Sequence, residues 1–269
     1  MNCVTKVIGQ LILCGLTLLG SIGVAASSER VVVAAASNFV ATAEILARLY
    51  EQDTGQAVVV VAGSSGKHFA QMMNGAPFDI LLSADQQKPA ELFARGLLGE
   101  APKTYAIGRL VAWSATQCRA DSDLALAIDE LSGQTIAIAN PAVAPYGVAA
   151  KEVLTALLDT DTLLSQMVFG ENISQVFQFA ISGNVDFAFL ARSQWIRNRV
   201  LHARGCHWLV PKQWHRPVIQ QAGLSARAVS NPSARSFYRF LFSDAARKII
   251  EDSGFETIDT PSPTKGSHP

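Results

Sequence analysis

The amino-acid sequence predicts a two-lobed α/β fold, and three observations carry the prediction. Apolar β-branched runs alternate with segments of helical period along most of the 269 residues. The alternation comes in two series. After the second, "PVIQQAGLSA" and the helical stretch behind it read as a return of the chain to the first lobe. Strands that alternate with helices imply sheets with parallel strands, covered on both faces.

"RVVVAAA" opens the first series as a strand too apolar to face water. "NFVATAEILARLYEQDTG" follows, with Val40, Ile45, Leu46 and Tyr50 at helical spacing and a stop at Gly55. "AVVVVAG" is the next strand, "KHFAQMMNG" the next helix and "FDILLSAD" the third strand. The second series starts at "RLVAWSA". It continues through a helix near "DLALAIDELSG", the strand "QTIAIAN", a helix from Pro145 to Leu158, a helix near "ISQVFQFAISG" and the strand "VDFAFLA". "NPSARSFYRFLFSDAARKIIEDSGF" is helical and closes the fold. Each lobe is thus expected to be a mostly parallel sheet flanked by helices, with chain crossings near 107–114 and 216–225. Residues 27–106 with 219–260 form one lobe, 107–218 the other, and the Pro/Ser-rich stretch 261–269 a loose tail.

The N-terminus speaks to the compartment. Lys6, the apolar run "LILCGLTLLGSIGV" and the small residues "VAA" at 24–26 have the form of a signal peptide cleaved near Ala26, and residues 1–26 are set apart from the fold. The run falls short of the roughly 20 residues of a spanning helix, and Leu13 is too large to precede a lipidated Cys14. An exported, periplasmic protein is expected. Cys3 and Cys14 leave with the signal, so Cys118 and Cys206 remain, as one disulfide or as two free thiols. The 22 basic and 22 acidic residues balance without a basic run, which argues against nucleic acid or a membrane surface as partner.

"AGSSGKHF" at 62–69 resembles a phosphate loop but lacks its pattern: Val61 stands where a P-loop needs glycine, and His68 where it needs Ser or Thr. Export also removes ATP. Yet "AAASNF", "AGSSGK", "ANPAVAPYGVAA" and "FGENISQV" each join a strand or loop to a helix start with residues small enough for close backbone approach. Ser, Asn and Gly there are ordinary caps when taken singly. Four such turns, spread over both lobes, would aim several helix N-termini at one point and make an anion site without a cation.

Taken together, "AAASNF", "GSSGK" with "AQ", "FDILLSAD" and "ANPAVAPYG" with "AKEVL" resemble the periplasmic molybdate-binding proteins of ATP-driven importers, over nearly the whole mature chain and in the right order. The resemblance implies a type II periplasmic binding protein, with two α/β lobes closing on an oxyanion. It implies molybdate or tungstate as ligand, membrane permease subunits as partner, a monomer, no cofactor and no catalysis. By the same resemblance the ligand's donors are Ser37 and Ser65 through hydroxyl and amide, Asn38 through backbone or side chain, and Tyr146 and Ile173 through backbone N–H. Ala191 takes a position where some members carry a tyrosine hydroxyl, which would leave a water or a neighbour such as Asn38 to complete the shell. Lys67 is expected just inside its helix as a solvated residue, and Asp79 and Asp85 in structural roles. Molybdate is a full dianion near neutrality, so neutral N–H and O–H groups satisfy it, whereas phosphate keeps a proton and rewards a carboxylate.

Other readings remain at this point. A sulfate site would share the dianion charge. Iron(III) would need tyrosine, histidine or carboxylate ligands, and the four tyrosines, Tyr50, Tyr105, Tyr146 and Tyr238, include no adjacent pair. An exported enzyme on the same fold would have to use His68 or the group His202, His207 and His215, none of which shows metal-ligand spacing.

Overall fold

The computed structural model describes residues 30–115, 123–129, 131, 133–158 and 166–258. The expected signal segment 1–26, Cys118 and the tail at 261–269 lie outside the described residues.

Two five-stranded sheets form the frame. In the first, β1 (Val31–Ala36) lies between β2 (Val58–Gly63) and β3 (Ile80–Ser83), and β10 (Val218–Leu224) and β4 (Lys103–Gly108) extend the sheet beyond β3. In the second, β6 (Ile136–Ala139) lies between β7 (Met167–Gly170) and β8 (Phe187–Ala191), followed by β5 (Leu110–Ser114) and β9 (Cys206–Leu209). The two sheets thus repeat one plan. The fold class is the expected one, two sheets flanked by helices, but each sheet is mixed rather than mostly parallel. β1 pairs in parallel with β2 and β3, and β6 with β7 and β8, while β10 and β5 pair antiparallel with both of their neighbours. The reason is where these strands enter. The parallel strands run toward the space between the sheets. β10 and β5 each arrive from the other sheet and so run away from it.

Passage between sheets happens at two places that lie side by side. Arg109 alone separates β4 from β5, and Val218, the first residue of β10, pairs with Gly108, the last of β4.

Both faces of the first sheet are apolar, which explains the unbroken run of valine and alanine in β1. One face packs Phe39, Leu46, Tyr50 and Phe237, the other Met72, Phe78, Leu81 and Leu92. The second sheet packs Trp113, Val153, Val176, Phe187 and Phe189. Asp79 accepts a hydrogen bond from the Val32 amide at 2.8 Å, and Asp85 holds the Lys88 amide and ammonium at 2.9 and 2.8 Å. Both carboxylates are structural, as expected. The closing helical stretch is two helices, Pro232–Phe240 and Asp244–Asp252, because Ser243 caps the second through the Ala246 amide and so sets a new start.

Candidate functional site

Four helices start where parallel strands end. α1 (Val40–Thr54) follows β1, α2 (Ser65–Met73) follows β2, α5 (Pro145–Leu157) follows β6, and the helix Ile173–Ser182 follows β7. Each start is built from local sequence. Ser64 caps α2 by accepting from the Lys67 amide at 3.2 Å, and Asn172 caps Ile173–Ser182 by accepting from the Ser174 and Gln175 amides. Pro145 occupies the first turn of α5, where no N–H is needed.

These turns meet. Ser37, Asn38, Ser64 and Ser65 from the first sheet and Ala144, Pro145, Tyr146 and Ile173 from the second line one small cavity, floored by Ala36 and Ala84. All five donors expected from the sequence, Ser37, Asn38, Ser65, Tyr146 and Ile173, are thereby brought together. No lining residue carries a charge.

The hydrogen bonds leave a definite set of donors free. The Ser37 amide is spent on the Gly63 carbonyl at 2.8 Å and the Gly66 amide on the Val143 carbonyl at 2.9 Å. Among the described residues the amides of Asn38, Ser65, Tyr146 and Ile173 have no acceptor, as the first N–H groups of a helix have none within it. Ser65 Oγ accepts from the Ala84 amide at 2.9 Å, which leaves its proton to point elsewhere. One Asn38 side-chain N–H goes to Gln220 Oε1 at 3.0 Å. Burial keeps the Tyr146 phenol protonated by pushing its pKa up, against the pull of the Asn38 and Gln220 amides beside it. The cavity therefore offers neutral donors and no carboxylate, backed by helix N-termini.

The sheets are drawn together at this cavity. Besides the Gly66 to Val143 bond, Ser174 Oγ donates to the Ser37 carbonyl at 3.2 Å and Ser193 Oγ to the Asn38 carbonyl at 2.9 Å. Lys67 points away from the cavity and pairs with Glu171 at 3.2 Å, both exposed. Position 191 does not behave as the resemblance suggested. Ala191 is fully buried as the last residue of β8, paired with Leu110, and does not line the cavity. From this strand end the side chain that bonds a lining residue is Ser193, two residues on, through the Asn38 carbonyl. Ser193 and Gln220 escaped the sequence reading, because each acts through a contact to Asn38 more than 150 residues away along the chain.

The histidines do not assemble. His68 is buried against the Ala35 carbonyl, His202 and His207 stack on Trp195, and no group of metal-ligating side chains occurs among the described residues. Cys206 is disulfide-bonded.

Comparison with known proteins follows the same line. The family model described as bacterial extracellular solute-binding protein matches residues 31–256. The molybdate-binding protein ModA of Rhodobacter capsulatus is 35% identical over 243 residues, covering 90% of this chain and 94% of the relative. ModA of Azotobacter vinelandii is 35% identical over 237 residues, covering 88% and 93%. The solved structure of the Azotobacter vinelandii periplasmic molybdate-binding protein matches with a TM-score of 0.78 and 34% identity, over 85% of this chain and 99% of that one.

Proposed function

The chain belongs to the bacterial extracellular solute-binding protein family, and from that premise we propose that it captures molybdate (and tungstate) in the periplasm and delivers it to the membrane subunits of an ATP-driven importer. It acts as a monomer and as a binding protein rather than an enzyme, with residues 27–106 and 219–260 as one lobe and 107–218 as the other. The observation that carries this reading is the cavity itself: four helix starts contribute unpaired N–H groups, two serines add hydroxyls, and no charged side chain intrudes. Such a shell matches a fully ionised tetrahedral dianion and offers a protonated one no carboxylate to receive its proton. Ser37, Asn38, Ser65, Tyr146 and Ile173 are the proposed ligands, with Tyr146 and Ile173 acting through their amides. The relatives named for molybdate share about a third of their residues with this chain across nearly its whole length, which supports the same cargo.

Titration calorimetry on the desalted mature protein tests the proposal. One molybdate per chain should bind, tungstate should compete, and phosphate should give no heat. Heat with phosphate or sulfate and none with molybdate would overturn it.

A further inference from the structure

Beneath the cavity lies a buried polar cluster centred on Gln220. This residue has no exposed surface and sits in β10 where the pairing with β4 shifts register. Its Oε1 accepts from Asn38 Nδ2 at 3.0 Å and from the Tyr105 hydroxyl at 3.0 Å, which uses both lone pairs of the oxygen. Its Nε2 makes no well-formed hydrogen bond, and neither does the buried Tyr146 hydroxyl, although the Asn38 and Gln220 amides lie close enough to that phenol to favour its ionised form. The two orphans converge over one glycine: a Cβ on Gly108 would stand 2.2 Å from Tyr146 Oη and 2.8 Å from Gln220 Nε2. Any side chain at 108 would therefore drive them apart. A buried amide with half its hydrogen bonds unmade is costly to keep in an apolar interior, so its presence here calls for a use.

We propose that Gln220 is a positioning residue of the oxyanion site: one carboxamide, rooted in the strand that runs back from the second sheet to the first, holds Asn38 on one side of the cavity and steers Tyr146 on the other. Its Oε1 fixes the Asn38 side chain and so the turn whose amide faces the ligand. Its Nε2 is the donor available to Tyr146 Oη, which leaves the phenol proton free to turn toward the cavity that the ring lines. Gln220 itself does not line the cavity, so it acts through these two residues. The inference rests on the reading of that cavity as an oxyanion site.

The test uses Gln220→Glu and Gln220→Met in the mature protein, with molybdate affinity by calorimetry from pH 5.5 to 8.5 and ligand-free unfolding temperature alongside. The groups that face residue 220 are the phenols of Tyr105 and Tyr146, both held protonated by burial, and Asp85, which bears on Tyr105 and is paired with Lys88. A carboxyl at 220 is thus the group expected to titrate. Protonated, it can accept from Asn38 and donate to Tyr146; ionised, it sets a negative charge beneath a dianion. Gln220→Glu should bind within about tenfold of the parent at pH 5.5 and lose at least a hundredfold by pH 8.5, where the parent is flat. Gln220→Met should be at least about tenfold weaker at every pH. Parental affinity in both variants at all pH values would overturn the inference and leave the site reading standing. A Gln220→Glu loss by one constant factor across the range would mark a packing role and overturn it too. If Gln220→Glu fails to fold, Gln220→Met decides alone, parental affinity being the refuting result. A parent that binds no molybdate sinks both readings.

Discussion

Ser65 and Ser37 both offer a hydroxyl to the cavity, but their surroundings differ, and the difference yields a quantitative prediction. Ser65 is buried and its Oγ accepts from the Ala84 amide at 2.9 Å. Ser37 is partly exposed, and among the described residues its hydroxyl has no protein partner. If Ser65 is a ligand as proposed, Ser65→Ala removes a hydrogen bond to a charged group, worth about 1.5 to 3 kcal/mol, so the affinity for molybdate should fall by about ten- to a hundredfold. The same change strands the Ala84 N–H in a buried place, a cost of about 1 to 3 kcal/mol without any ligand. At about 2 to 4 °C per kcal/mol for a chain of this size, the ligand-free unfolding temperature should drop by at least about 2 °C. Ser37→Ala should cost a similar factor in affinity and leave the ligand-free protein unchanged. Calorimetric titration and thermal unfolding of the two variants check this together. The reasoning fails if Ser65→Ala binds like the parent, or if Ser37→Ala lowers ligand-free stability as much as Ser65→Ala.

Three further outcomes follow from cross-cleft and buried contacts. Gly66→Ala would place a Cβ 2.9 Å from Val143 Cα, so it should prop the two lobes apart; affinity should fall more than about tenfold, and small-angle scattering should show no compaction on adding molybdate. Lys67→Ala removes an exposed ion pair with Glu171 and should weaken binding by no more than about fivefold, since such pairs contribute about 0 to 1 kcal/mol; a complete loss of binding in titration would instead make Lys67 a ligand. His68 is kept below its ordinary pKa of 6.5, chiefly by burial, against bonds to Gln71 and the Ala35 carbonyl that favour the charged form. Its unfolded form therefore takes up a proton first as pH falls, and the stability from neutral His68, whole above about pH 6.5, is lost as pH falls toward the folded value. Ligand-free unfolding between pH 7.5 and 5 should show a smaller decline in His68→Gln than in the parent, with the remainder due in part to His207, which burial shifts the same way.

The sequence made the strand and helix order legible where apolar runs were long and start and stop signals clear, as at Pro145 and Gly55. It also pointed to the four turns, because small residues at a helix start are a local signal. Antiparallel pairing of β5 and β10 was not legible, since it depends on which lobe a strand enters from. The edge strand β7 was missed because it is four residues long and only partly buried. Position 191 shows the limit of carrying a pattern over by order along the chain. Its alanine sits in the sheet interior, and the neighbouring hydroxyl of Ser193 bonds the Asn38 carbonyl from the start of the next helix. A contact of that range has no signature in either segment.

On the proposed function, binding is tied to closure through shared residues. The turn that carries the Ser65 donor also gives its next amide, that of Gly66, to the Val143 carbonyl across the cleft. The carbonyls of Ser37 and Asn38 accept from Ser174 and Ser193 of the opposite lobe. Each of these cross-cleft bonds is modest in net worth, about 1 kcal/mol, because water would satisfy the same groups in an open form. The helix-start amides that face the cavity are in a different position. Closed over nothing, they would be desolvated together, their partial positive charges pointing at one another. The empty closed form is therefore weakly held, and a dianion reverses the sign of the largest local term, so that closure and capture become one equilibrium. Variants that weaken the cross-cleft bonds should accordingly lose affinity without losing any ligand contact, and the loss should appear mainly as faster release. Stopped-flow chase of bound molybdate from Ser193→Ala checks this: an unchanged release rate with slower association would mean that closure precedes capture.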